Sequence, residues 1–421
     1  MPNRVSLQYD NNIAKKFASH NKIMTIRLAD RVIAVKPSPT LAITARAAAM
    51  RAAGKDVIGL GAGEPDFDTP ESIKQAAIKA IEAGFTKYTP VDGIPTLKEA
   101  VIAKLKQDNG LDYQPDQILV SCGGKQSFYN LAQALLNPED EVIIPAPYWV
   151  SYPDMTLLAS AKPVIVHASQ TQRFKISPDQ LRDALNPNTR LFVLNSPSNP
   201  TGVAYSIDEL KALSEVLLAF PDVIIATDDM YEHIMWEGKT FCNILNACPD
   251  LYDRTLVLNG VSKAYSMTGW RIGYAAGPAD IIRAMKKIQS QSTSNPTSIS
   301  QVAAEAALKG DQSCIMTMVK AFKERHDFVV DALNAIEGID CLPTDGTFYV
   351  FPNVQQVIDR LNEIKDDIAL SEYFIEHAGV AFVPGSAFGC SGHIRLSIAT
   401  SMDNLKTALA RIKNFIDSGI E

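Results

Sequence analysis

The stretch LFVLNSPSNPTG, residues 191–202, opens on four unbroken apolar residues and ends in a turn punctuated by Pro and Gly. Such a run reads as a strand covered on both faces, and its punctuation places a loop at the carboxyl end. The pattern repeats at VIIAT, residues 223–227, which runs straight into Asp228-Asp229-Met230-Tyr231. Working outward, Ile118–Ser121, Glu141–Pro145, Pro163–Val166, Leu256–Asn259 and Ile272–Ala276 are further candidate strands. From Glu71 onward these short runs alternate with helical stretches, which predicts an α/β fold with a mostly parallel, helix-sandwiched sheet.

Beyond Lys309 the pattern changes. A long helical segment over 318–336, strands around TFYVFP (347–352), and the unit IRLSIAT-SMDNLKTALARIKNFI (394–416) predict a smaller α+β domain, completed by a helix over Pro39–Ala53. The expected division is 24–66 plus 310–421 for the small domain and 67–309 for the large one. Residues 1–23 are expected to be a flexible extension, with Met24 a second candidate start. A site between the domains, at the carboxyl ends of the parallel strands, is the default for this architecture.

The chain has 421 residues, 46% apolar and 21% charged, with a net charge of −7. That balance suits a globular enzyme and gives no extended positive field for nucleic acid or an anionic membrane surface. Six dispersed cysteines without a C-x-x-C pair fit a reducing cytoplasm, and no His or Cys spacing suits a metal. No run approaches the roughly 18 apolar residues of a membrane span.

GLGAGEPDFDTP (59–70) fails as a dinucleotide loop because Glu64 stands where the last glycine is required. SCGGKQ (121–126) lacks the first glycine and the hydroxyl residue of a P-loop, and no G-x-S-x-G elbow occurs. Four segments at or after predicted strand ends remain: GGKQ, NPTG, DDMY and SKAYSMTGWRIGY. Singly each has a plain explanation, such as a turn at Asn199–Gly202, a helix cap at Asp228 or a solvated Lys263.

Together, NSPSNPTG (195–202), TDDMYEH (227–233) and SKAYSMTGWRIGYAAG (262–277) resemble the signature segments of class I, fold-type I aminotransferases that use pyridoxal 5'-phosphate. KPSPT (36–40), AGEPDFDTP (62–70), KYTPVDGIP (87–95), PYWVSYP (147–153) and FVPGSAFG (382–389) are similar to the bacterial-type aspartate aminotransferase sub-group. The resemblance implies that Lys263 carries the cofactor and moves the substrate's Cα proton, and that Asp228 pairs with the pyridine nitrogen. It places Tyr231 and Asn199 on the phenolic oxygen, Arg271 and the amides of Gly124 and Lys125 on the phosphate, and Trp149 on the ring face. A buried carboxylate and a bidentate guanidinium are the groups these tasks call for.

The resemblance also implies that Arg395 grips the substrate α-carboxylate with the amide of Gly63. Lys125 would face a distal carboxylate, with Ser38, Thr40 and Ser298 nearby. Tyr88 would reach the phosphate of a neighbouring subunit, which implies a homodimer with shared sites. Gly260 departs from members that carry a serine there. The implied reaction is ping-pong transfer between aspartate and 2-oxoglutarate; an aminotransferase for prephenate or aromatic amino acids and C–S β-elimination remain open alternatives. A ligand-sensing regulator is disfavoured because the residues before Pro37 are too few and insufficiently basic for a DNA-binding module.

Overall fold

A computed structural model describes residues 26–35, 37, 39–361 and 364–418. The expected 1–23 extension, the Met24 start and Ser38 lie outside them. The strands are β1 (Ile58–Gly59), β2 (Ile118–Ser121), β3 (Glu141–Ala146), β4 (Lys162–His167), β5 (Thr189–Asn195), β6 (Ile224–Asp228), β7 (Thr255–Gly260), β8 (Gly273–Ala276), β9 (Tyr349–Val350), β10 (Val380–Ala381), β11 (Val383–Pro384) and β12 (Ile394–Ser397).

All seven strands expected in the large sheet form one sheet, in the order β2-β8-β7-β6-β5-β3-β4. β3 to β7 pair in parallel, while β8 runs antiparallel to both β2 and β7. The continuous apolar runs follow from two buried faces. Phe192 and Leu194 enter one core with Ile143, Ile225 and Val257, whereas Leu191 and Val193 enter another with Ile144, Ala226 and Leu258. Alternation with a period of two sends neighbours to opposite faces, and helices cover both. The helix Ile207–Leu218 on one face starts at a capping box in which the Ser206 hydroxyl accepts from the Glu209 N–H and Glu209 answers to the Ser206 N–H.

A third core gathers the helices Ser313–Asn334 and Met402–Ser418 around Phe348, Val350, Phe382, Leu396 and Ile398. Here β11, β12 and β9 form an antiparallel sheet, and β1 pairs in parallel with β10. The helix Pro39–Ala52 packs Ile43 and Ala47 against Ile375 and Ala381. Leu60, Tyr231, Ile234 and Trp236 also belong to this third core. The loop after β6 is therefore clamped between the sheet and the C-terminal layer. In the large sheet, chain direction reverses where β5 returns to the other side of β3, and a crevice opens at the carboxyl ends of such strands.

Candidate active site

Asn195 and Asp228 end adjacent strands as register partners, so β5 and β6 deliver both to the crevice. The Asn195 side chain donates to the Asp228 carbonyl at 2.9 Å and accepts from the Asn199 N–H at 2.9 Å, which ties the NPTG turn to β6. The Asp228 carboxylate accepts from the Tyr152 hydroxyl and, at 3.3 Å, from the Met230 N–H. Burial pushes its carboxyl above the ordinary range, against the pull of those two donors and of the Lys263 charge.

Lys263 follows β7 and donates from its ammonium to the Gly63 carbonyl. Burial, aided by the Arg395 and Arg271 charges, lowers it to about 8, so its amine is poised to lose a proton near neutrality. Tyr231 and Tyr349 share a hydroxyl–hydroxyl contact of 3.0 Å. Arg395 lies within β12, 2% exposed, and donates to Asn199 Oδ1 at 2.8 Å and to the Gly61 carbonyl at 2.7 Å. Its guanidinium sits 4.4 Å from the Tyr349 ring centroid and 4.9 Å from that of Phe388, while its Nε has no partner among the described residues.

Arg271 and the helix Gly124–Leu135 make the opposite wall. Arg271 adopts φ +57° and donates to the Thr268 carbonyl at 2.8 Å and the Cys122 carbonyl at 3.3 Å. Gly123, at φ +86°, has no room for a side chain, since a Cβ would sit 2.4 Å from the Arg271 guanidinium. A Cβ on Gly273 would lie 2.3 Å from the Gly124 nitrogen, so bare backbone is what lets β8 meet the helix start. The Lys125 ammonium lies 5.2 Å over the Trp149 ring. Burial first, then the Arg271 charge, lowers its pKa.

These walls enclose a cavity of about 270 Å³, lined by Gly63, Gly124, Lys125, Trp149, Asn199, Asp228, Tyr231, Lys263, Arg271 and Arg395 together with Thr40 and Tyr349. Ten of the eleven residues given cofactor or substrate contacts from the sequence thus line one space. The eleventh, Tyr88, is 91% exposed and does not line it. Thr40 lines the cavity, its hydroxyl without a partner among the described residues, whereas Ser298 is buried, donates to the Phe85 carbonyl at 2.9 Å and is not among the residues that line the cavity within this chain. Gly260 has a steric cause, because a Cβ there would come within 2.9 Å of the Gly273 Cα and the Ile272 carbonyl, and the Met230 methyl stands 3.3 Å away.

The sequence reading passed over Asn195, Tyr152 and Tyr349. Asn195 was visible as the polar end of LFVLN. Tyr152 and Tyr349 read as core aromatics, and their hydroxyl partners lie 76 and 118 residues away in sequence.

The profile of the family "Aminotransferase class I and II" matches residues 55–412. The chain belongs to that family. It is 62% identical over 396 residues to an aspartate/prephenate aminotransferase of Nitrosomonas europaea, covering 93% of this chain and 100% of that protein. The crystal structure of the aspartate aminotransferase from Rhizobium meliloti superposes with a TM-score of 0.90 at 49% identity, over 93% of this chain and 99% of that one. The Thermus thermophilus aspartate aminotransferase with maleate gives 0.87 at 41% identity, over 92% and 99%.

This aminotransferase is thus a transaminase of fold type I, and the cofactor of its family is pyridoxal phosphate. The residues present fit that group. An amine lowered to about 8, a carboxylate on a different strand, and an arginine beside a glycine-flanked helix start are distinct partners for an aldehyde, a ring nitrogen and a phosphate. Among the described residues, no helix is long and apolar enough to cross a membrane.

Proposed function

We propose that the chain transfers the amino group of aspartate to 2-oxoglutarate by a ping-pong mechanism. The observation that carries this reading is a cavity with Arg395 and Lys125 both in its lining, giving one cation for each carboxylate of a four-carbon dicarboxylic acid. The maleate in the Thermus relative, itself a four-carbon dicarboxylate, supports the same choice.

When bound, the cofactor supplies an electron sink for the bond broken at the substrate's Cα. Asp228 holds the ring nitrogen protonated, while Tyr231 and Asn199 donate to the ring oxygen. Arg271 and the amides of Gly124 and Lys125 hold the phosphate at a helix N-terminus. Trp149 covers the ring face. Lys263 Nζ, as a free amine, would take the substrate's Cα proton and hand it back on the cofactor side of the transferred nitrogen. Arg395 and the Gly63 amide hold the α-carboxylate so that the Cα–H bond points at that amine.

The division into 24–66 plus 310–421 and 67–309 puts the seam through this cavity, so closure of the small domain would expel water around both cations. A homodimer is supported by Tyr88, fully turned to solvent, and by exposed Ile78, Ile81 and Phe85 close by in sequence. Six unpaired thiols support a cytoplasmic location.

A second reading, transfer to prephenate, is favoured by one observation: the relative at 62% identity carries that substrate in its name. Absorption spectroscopy tests both. Aspartate should move the cofactor band from about 360–430 nm to about 330 nm, and 2-oxoglutarate or prephenate should return it. A band indifferent to aspartate would refute the first reading.

A further inference from the structure

Tyr152 has no part in the roles assigned above, yet no other side chain donates a hydrogen bond to the Asp228 carboxylate among the described residues. It lies on the helix Ser151–Leu158 and is 1% exposed. Its ring meets Trp149 edge-on, with centroids 5.2 Å apart and planes at 85°, and packs against Phe128 at 4.9 Å. One side chain therefore touches two walls of the cavity. A tyrosine used only for packing could place its hydroxyl on any main-chain carbonyl, but this one is spent on a carboxylate that burial already disfavours.

We infer that Tyr152 is a positioning residue for the transfer, its hydroxyl orienting Asp228 towards the ring nitrogen and its ring bracing Trp149 over the same ring. The inference rests on the proposed role of Asp228. The Asp228 carboxylate is a two-oxygen acceptor free to rotate about its terminal torsion. With Oδ2 held by Tyr152 and Oδ1 touched by the Met230 N–H at 3.3 Å, the carboxylate plane is held by two donors while the residue lines the cavity. The donor bond also favours the ionised carboxylate, the form needed opposite a protonated nitrogen. The ionisable groups facing this carboxylate are Tyr152 from its helix, Lys263 from the segment after β7 and Tyr231 from the turn after β6. Of these, only Tyr152 gives it a hydrogen bond.

The test is Tyr152→Phe in the full chain, which keeps the ring and removes the donor. Binding of pyridoxal phosphate to the apoprotein is followed by quenching of tryptophan fluorescence, alongside its 1-deaza analogue, which has carbon in place of the ring nitrogen. Loss of one charge-assisted hydrogen bond should weaken pyridoxal phosphate about 10-fold and leave the analogue unchanged. In the holoenzyme the acid limb of kcat should move to higher pH, because Asp228 loses a donor that favours its charged form. Incorporation of 3,5-difluorotyrosine at 152, a stronger donor of nearly the same shape, should move that limb the other way.

Equal affinity of variant and wild type for both compounds, or equal loss for both, with an unmoved pH profile, would overturn the inference and leave Tyr152 a packing residue. Asp228→Ala separates the two claims. If it distinguishes the two compounds while Tyr152→Phe does not, the role of Asp228 survives and that of Tyr152 falls. If Asp228→Ala binds both as the wild type does, the underlying reading of Asp228 fails as well.

Discussion

The deep wall of the cavity and its mouth are built on different terms. In the deep wall, Tyr231 bonds to Tyr349, Asn199 to Arg395 and Asp228 to Tyr152 on a neighbouring helix, with the Arg395 guanidinium enclosed by two aromatic rings. At the mouth, Arg271 and Lys125 are exposed, and the latter rests on Trp149. The deep wall is preorganised by its own chain, because a buried polar group without a partner costs more than the bond that satisfies it returns. The mouth holds cations whose partners are anions that arrive. Changes in the deep wall should therefore remove rate, and changes at the mouth should weaken binding.

The largest expected loss is at Lys263. Lys263→Ala removes the amine that moves the Cα proton, so transamination should fall by at least ~10⁴-fold without added amine, read as kcat. Transfer near the wild-type rate would contradict the role given to this residue. Arg395→Leu follows. Removing a buried, paired cation costs roughly 3–5 kcal/mol, which puts kcat/KM for aspartate about 10²–10⁴-fold lower while the cofactor band stays in place.

Lys263 also makes a prediction for the apoprotein. Its folded value, about 8, is below the ordinary lysine value of 10.5, so the unfolded chain binds the extra proton between these limits. The penalty on folding is complete below about pH 8 and fades as pH rises towards 10.5. Lys263→Met should stabilise the apoprotein at pH 7 by roughly 2 kcal/mol, a discounted figure because the side chain borders cavity water, and by less at pH 10. Thermal melts at the two pH values measure it, and a variant no more stable at pH 7 would show that the ammonium is well solvated.

The same contrast explains how much was legible in the sequence. The sheet was legible because two-sided burial leaves continuous apolar runs such as LFVL, and the walls because NPTG, DDMY and SKAY-type segments sit where those runs stop. Tyr152 was not, since a tyrosine in a short helix looks like packing until the fold sets its hydroxyl against a carboxylate 76 residues away. Gly260 was legible as a departure but not as a steric necessity. With the Gly273 Cα and the Ile272 carbonyl 2.9 Å from a Cβ, Gly260→Ser should lower stability by about 2 kcal/mol and add no affinity for the cofactor.

Lys125 gives the smallest and most discriminating effect. The residue as a whole is exposed, but its ammonium is partly enclosed 5.2 Å over Trp149, and that partial burial, then the Arg271 charge, lowers its pKa. A distal carboxylate would turn that neighbourhood from repulsive to neutral, so the ammonium gains most when a dicarboxylic substrate is present. Discounted for exposure, a single charged contact is worth about 1.4 kcal/mol, or ~10-fold. Lys125→Met, which keeps the stem against the indole, should raise KM for aspartate about 10-fold with little change in kcat. KM for phenylalanine should stay level or fall, because the apolar methionine suits an aromatic side chain. Equal losses on aspartate and phenylalanine would mean that Lys125 serves the cofactor phosphate rather than the substrate, and the mouth would then belong to the cofactor alone.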